Sequence, residues 1–164
     1  KRRLCALAAR HIEPGDTLFI DCGTTLMPLA AALPADASLT VVTYALNVAN
    51  AVSALPGVRL ILLGGVYHGS SRSFASDTMG DAIRRLGINK AFLSAAGVHR
   101  ERGLSCFHFH EVAPKQAAIA TAAHRLLVVD ESKLGVIRPA RFAAFEEVDE
   151  LITDGESAMA AGSV

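Results

Sequence analysis

A few short clusters of small and polar residues carry the chemistry available to this sequence. The first is Asp21-Cys22-Gly23-Thr24-Thr25. Glycine lets a backbone approach an anion closely, and the two threonines add hydroxyls. A helix starting just after them would present free N–H groups and the positive end of its dipole. Pro28 suits the first turn of such a helix, where its missing N–H costs nothing. The pattern fits a phosphate, although a threonine N-cap beside a turn glycine is a common structural device. No Gly-Lys-Ser/Thr follows, so nucleoside triphosphate hydrolysis is not indicated.

Glu111 and Lys115 stand four apart, and Pro114 marks a helix start between them. The pair would then face one side of a first helical turn. The plain alternative is a surface ion pair worth a few tenths of a kcal/mol. A lysine near a helix N-terminus opposes the dipole, which points to a partner or an anion.

Other candidates carry weaker signals. His108 and His110 flank Phe109 and could ligate a metal, but no further ligand spacing supports them, and an edge-of-ligand role fits better. Cys22 could be a nucleophile at a helix start, but no base is set by spacing, so a packing role is expected. Tyr44 and Phe107 could stack on a sugar ring or belong to the core. No cofactor and no metal are expected.

These clusters need elements to hold them. Apolar runs of strand length fall at 18–20, 39–42, 58–63, 90–94, 126–129 and 148–153. Helical patterns fall at 26–33, 45–55, 77–86 and 114–123, with Gly87 as a C-terminal cap of the third. Continuous apolar strands alternating with helices indicate an α/β domain, a parallel sheet with helices on both faces in three layers. The clusters then share one edge. Thr43-Tyr44-Ala45-Leu46-Asn47, Gly64-Gly65, Ala95-Ala96-Gly97 and Asp130-Glu131-Ser132-Lys133 each follow a strand, as the first cluster does. Open α/β sheets bind ligands in that crevice. The ligand-binding candidates are therefore Asp21, Gly23, Thr24, Thr25, Thr43, Tyr44, Asn47, Gly64, Gly65, Ala96, Gly97, Glu111, Lys115, Asp130 and Lys133.

Composition removes several classes. The 164 residues suit one domain, and the 16 basic and 16 acidic residues balance. That balance withholds the clustered positive charge of a nucleic-acid-binding segment. The short basic run Lys1-Arg2-Arg3 reads as a solvated helix end. No apolar run approaches the roughly 20 residues of a membrane helix. Three widely spaced cysteines give no disulfide framework and no thiolate zinc site, so a cytoplasmic setting is expected. The sequence enters a helical pattern directly at Lys1, which reads as a fragment of a longer protein. Residues 158–164 carry no packing signal.

The clusters resemble, in order, those of the C-terminal sensor domain of DeoR-type transcriptional regulators. The motifs are Asp21-Cys-Gly-Thr-Thr25, Thr43-Tyr-Ala-Leu-Asn47, Leu63-Gly-Gly65, Phe92-Leu-Ser-Ala-Ala-Gly97, Val129-Asp-Glu-Ser-Lys133 and Leu151-Ile-Thr-Asp154. The resemblance covers most of the chain. It implies a fold similar to ribose-5-phosphate isomerase, in which the loop matching Gly23-Thr24-Thr25 holds a phosphate and a Glu–Lys pair matches Glu111 and Lys115. It implies a phosphorylated sugar as effector, operator DNA bound by an N-terminal helix-turn-helix outside this sequence, and a homo-oligomer. Many DeoR-type domains keep an aspartate where this chain has Ala95-Ala96. That departure resembles the deoxyribose-sensing subgroup, and implies 2-deoxyribose-5-phosphate. The competing expectation is a sugar-phosphate isomerase or lyase using Glu111 and Lys115. Such an enzyme needs a positioned acid or base, which Ala95-Ala96 does not supply.

Overall fold

The computed structural model describes residues 1–155, so the segment 158–164 lies outside the described residues. In chain order the first elements are α1 (Arg2–Ala9), β1 (Thr17–Ile20), α2 (Met27–Ala31), β2 (Thr40–Thr43), α3 (Leu46–Ser53) and β3 (Arg59–Leu62). Then come β4 (Val66–His68), β5 (Ser73–Ala75), α4 (Met79–Arg84), β6 (Lys90–Leu93), β7 (Gly97–His99) and β8 (Gly103–Cys106). The last are α5 (Val112–Thr121), β9 (His124–Val128), β10 (Ala140–Ala143) and β11 (Glu150–Ile152).

Six strands form one sheet in the order β11-β9-β6-β1-β2-β3. Every pairing in it is parallel. The expected α/β architecture is therefore the observed one. The chain winds outward from β1 through β2 to β3, then returns to β6 on the other side of β1 and continues to β9 and β11. Right-handed crossovers put the helices of these two halves on opposite faces. Helices α1, α2 and α3 pack in series, while α4 packs on α5.

Burial explains why the apolar runs become strands. Leu18, Phe19, Ile20, Val41, Val42, Phe92, Leu93, Leu126, Leu127 and Val128 are fully buried in the sheet. Each side chain of this kind adds about 1.5–3 kcal/mol when removed from water. The edge strand β3 is exposed at Arg59 and Leu62 and only half-buried at Leu60 and Ile61, because one flank has no neighbour.

Boundaries differ from expectation where local chemistry intervenes. Helix α5 starts at Val112, so Pro114 sits inside the first turn and not at its beginning. Backbone N–H groups there lack helical partners in any case, so proline is tolerated. Helix α2 is five residues long, shorter than the expected span. Two antiparallel units were absent from the sequence reading. One is the hairpin β4–β5, and the other is the three-stranded sheet β10-β8-β7.

Candidate functional site

The turns beyond the carboxyl ends of β1, β6 and β9 enclose a pocket of about 380 Å³. Cys22, Gly23, Thr24 and Thr25 line it from the turn after β1, and Asn47 from the first turn of α3. Ser94, Ala95 and Ala96 come from the turn after β6, and Lys133 from the turn after β9. The smaller units complete it. Ser70, Ser71 and Arg72 come from the tip of the β4–β5 hairpin, and Cys106, Phe107 and His108 follow β8. Glu111 and Lys115 enter from the start of α5.

The turn after β1 has a backbone only glycine adopts readily, since Gly23 has φ +103°. The Ser94 hydroxyl donates to the Cys22 carbonyl at 2.7 Å and fixes the turn from below. Among the described residues, the backbone N–H groups of Gly23, Thr24 and Thr25 have no acceptor. Successive free amides in a turn make an anion-binding concavity. They, and not the dipole of the short α2, are what the turn offers. The Lys1 ammonium donates to the Thr24 hydroxyl at 2.6 Å, so the basic start of the chain reaches this turn.

Behind the turn lies a buried polar network. The Asp21 carboxylate is fully buried. It accepts from the Tyr44 hydroxyl at 2.5 Å and from the Ser94 backbone N–H at 3.0 Å. It also pairs with the Lys115 ammonium, itself 1% exposed. Lys115 donates in addition to the Ser94 carbonyl at 3.0 Å. Burial alone would pull the Lys115 ammonium down, but the carboxylates of Asp21 and Glu111 outweigh it, and the net displacement is upward. Lys115 is thus held as a cation, unsuited to act as a base near neutral pH. An ammonium has three protons, and the two acceptors named leave one for the pocket.

Glu111 is the one acidic side chain among the lining residues, facing the cations Arg72, Lys115 and Lys133. No ion pair within 4 Å joins it to Lys115 among the described residues, where the lysine's carboxylate partner is Asp21. Glu111 instead accepts from the Cys22 thiol at 3.3 Å. Burial, then the neighbouring Asp21, pushes the Cys22 thiol well above its ordinary range. Burial likewise pushes the Cys106 thiol up to about 12. Neither is a thiolate nucleophile.

Eight of the residues expected at a ligand lie on the pocket: Gly23, Thr24, Thr25, Asn47, Ala96, Glu111, Lys115 and Lys133. The others lie off it, each for a physical reason. Asp21 and Tyr44 are the buried layer underneath, and Tyr44 stacks on Phe19 with ring centroids 6.0 Å apart. Thr43 is buried and donates to the Ile20 carbonyl at 2.7 Å. Asp130 accepts from the Ser132 hydroxyl and, at 3.1 Å, from the Ser132 backbone N–H, and the hydroxyl chiefly holds its carboxyl below the usual range. Gly64 and Gly65 lead into the hairpin, where a Cβ on Gly65 would stand 2.3 Å from the Ala75 carbonyl oxygen. Gly97 is packed under Val136, whose carbonyl oxygen would be 2.5 Å from a Cβ.

The hairpin tip was missed by sequence reasoning. Arg72 has φ +51°, a left-handed conformation on a non-glycine residue. The signal available was the turn-rich run Gly69-Ser70-Ser71-Arg72 between two short apolar stretches. His110 joins this tip to the turn before α5. It hydrogen-bonds the Ser71 hydroxyl at 3.0 Å and stacks on His68 at 3.9 Å. Burial, then proximity to His68, lowers its pKa. A larger groove of about 630 Å³ between α1 and α2 is mostly apolar and holds one cation, Arg2.

A family model described as the DeoR C terminal sensor domain matches residues 1–155. The deoxyribose operon repressor of Escherichia coli (strain K12) is 38% identical over 154 residues, 94% of this chain and 61% of that protein. The glycerol-3-phosphate regulon repressor of the same organism is 34% identical over 154 residues, again 94% of this chain and 61% of that protein. The chain thus spans about three fifths of the length of these relatives. Ribose 5-phosphate isomerase A from Methanocaldococcus jannaschii shares the fold, with a TM-score of 0.59 at 14% identity, over 81% of this chain and 52% of that one.

Proposed function

Because the chain belongs to the DeoR C-terminal sensor domain family, we propose that it captures a phosphorylated sugar, 2-deoxyribose-5-phosphate, in the pocket at the carboxyl edge of its sheet. In this reading the phosphate sits on the free amides and hydroxyls of Gly23, Thr24 and Thr25, with Lys133 and Arg72 beside it. The sugar ring lies over Ala95 and Ala96, within reach of Glu111 and Lys115. Occupancy alters the DNA affinity of a helix-turn-helix domain carried elsewhere in the full-length protein. The domain is a binding module and not an enzyme.

The observation that carries the reading is the pocket's composition. Three cations and several hydroxyl donors surround one carboxylate, a balance that suits an anion bearing hydroxyl groups. The turn after β6 supports the deoxy sugar, because it offers methyl groups and backbone where a 2-hydroxyl would want a partner. A hydroxyl desolvated there without a hydrogen bond costs about 1–3 kcal/mol. That predicts a roughly tenfold to hundredfold preference over ribose-5-phosphate. The name of the deoxyribose operon repressor points the same way.

A regulator of this family works in the cytoplasm, and no helix among the described residues is long and apolar enough to cross a membrane. DNA readers with two-fold sites are symmetric oligomers, and the exposed Leu62, Val66 and Tyr67 on β3 and β4 offer an apolar surface for contact between copies.

The test is calorimetric titration with 2-deoxyribose-5-phosphate, ribose-5-phosphate and free deoxyribose, with an NMR assay for turnover. The deoxy sugar phosphate should bind tightest, free deoxyribose much more weakly, and neither phosphate should be converted. Tighter binding of ribose-5-phosphate, or steady turnover, overturns the assignment.

A further inference from the structure

We propose that His11, His124 and Glu150 form a binding site for a divalent transition-metal ion of the zinc class, at the end of the sheet opposite the pocket. The three ligand atoms lie within 4.8 Å of one another. His11 Nε2 is 3.0 Å from Glu150 Oε2, and His124 Nε2 is 3.4 Å from Glu150 Oε1. Zinc binds imidazole nitrogen at about 2.0–2.1 Å and carboxylate oxygen at about 2.0–2.2 Å. Two ligands of a tetrahedral centre with such bonds stand roughly 3.3–3.4 Å apart. The two histidine–carboxylate separations are already near that value, one to each oxygen of Glu150, and the remaining ligand pair lies within 4.8 Å, a gap that side-chain rotation can close.

The backbone around the cluster is rigid. His124 opens β9 and Glu150 opens β11, and these strands are hydrogen-bonded neighbours. The His124 N–H donates to the Asn89 carbonyl and the Asp149 N–H to the Arg125 carbonyl, each at 2.9 Å. His11 lies just beyond the end of α1, which packs on both strands. A second layer is present as well. Asp149 Oδ2 lies 3.7 Å from His124 Nδ1, and Arg125 holds that carboxylate through its backbone N–H at 2.8 Å and its guanidinium at 3.1 Å. At that distance the carboxylate is an electrostatic neighbour of the ring, and a slight approach would make it the hydrogen-bonded companion usual for a metal-bound histidine.

The donor set selects the ion. Two imidazoles and one carboxylate suit zinc, cobalt, nickel or copper, whereas magnesium and calcium prefer oxygen ligands throughout. The side chains are 32%, 34% and 41% exposed. Water can therefore take the fourth position, and the ion can exchange. Bound there, it would tie α1 to β9 and β11 while leaving the pocket's own groups untouched.

The 164-residue chain, stripped of metal with a chelator, is titrated with zinc chloride by calorimetry and with cobalt(II) chloride by visible absorption. One equivalent of zinc should bind with a micromolar constant, raise the melting temperature, and displace a cobalt spectrum of low coordination number. His124→Gln and Glu150→Gln should each weaken zinc binding at least tenfold and abolish the melting shift, whereas a change at the exposed Arg85, Arg85→Ala, should leave both unchanged. Equal affinity in wild type and both cluster variants would assign the metal elsewhere. An absence of binding at roughly millimolar zinc, an affinity weaker than about −4 kcal/mol, overturns the proposal outright.

Discussion

Asp21 and Lys115, 94 residues apart in sequence, meet as a buried ion pair that joins the turn after the central strand β1 to the first turns of α5. Removing one partner strands the other charge in the interior. Lys115→Met should therefore cost about 3–5 kcal/mol in urea denaturation. The double variant Asp21→Asn, Lys115→Met should recover much of that loss, because no uncompensated charge remains. A single-variant loss under about 1 kcal/mol means that the pair is not closed in solution.

Ligand contacts are better tested where stability is not at stake. Arg72 is exposed and Lys133 half-buried on the pocket rim. Arg72→Ala and Lys133→Ala should each weaken a sugar phosphate by about tenfold, the value of one charge-assisted contact. Free deoxyribose should be bound equally by wild type and variants. A phosphate affinity unchanged in both variants would move the anion away from this side of the pocket.

The reach of the sequence can be judged from these residues. The sheet was readable because its strands are buried on both faces, so β1, β2, β6 and β9 appear as unbroken apolar runs. Strands β7, β8 and β10 are three or four residues long and built on Gly97, Ser105 and Ala140, too short to show a period. Gly23, Thr24, Thr25 and Lys133 could be placed because the ends of parallel strands share one edge. Arg72 could not, since a positive φ on an arginine has no signature in composition. Asp21 was placed in the right turn but on the wrong side of it, because its partner Lys115 is distant in sequence.

Alkaline pH should weaken the fold from within the site. The thiols of Cys22 and Cys106, the Tyr44 hydroxyl and the Lys115 ammonium all have raised pKa values, with burial the first cause for all but Lys115. A raised value means that the folded chain holds the proton more tightly than the unfolded one. The stability is then complete below the ordinary values of 9.0, 10.0 and 10.5 and is lost as pH rises through the folded ones. Urea midpoints should be level from neutral pH to about pH 9 and fall steeply beyond it. Thiol reagents at neutral pH should label Cys5, Cys22 and Cys106 only as fast as the chain opens, since all three are buried with raised values. Rapid labelling of Cys22 in the native chain would contradict its burial in the pocket wall.

Gly97 is a packing residue. A Cβ there would press on the Val136 carbonyl oxygen at 2.5 Å and the Ser105 hydroxyl at 2.8 Å. Gly97→Ala should cost about 1–3 kcal/mol of stability by forcing the backbone apart. Thermal melting of the variant is the check. An unchanged melting temperature means that the segment around Val136 yields freely.

The central position of β1 also sets a timetable for biosynthesis. Residues Thr17–Ile20 pair with β2 on one side, which follows closely, but on the other side with Lys90–Leu93. β6 in turn borders β9, and β9 borders β11 at Glu150–Ile152. A nascent chain, extended at about 5–20 residues per second, exposes one bare flank of β1 for several seconds. Each later strand inherits an open flank until its own neighbour emerges. The sheet is completed only by the strand nearest the end of the described chain, so a product cut short before Glu150 leaves β9 as an unpaired edge carrying Leu126, Leu127 and Val128, the kind of surface on which chains aggregate.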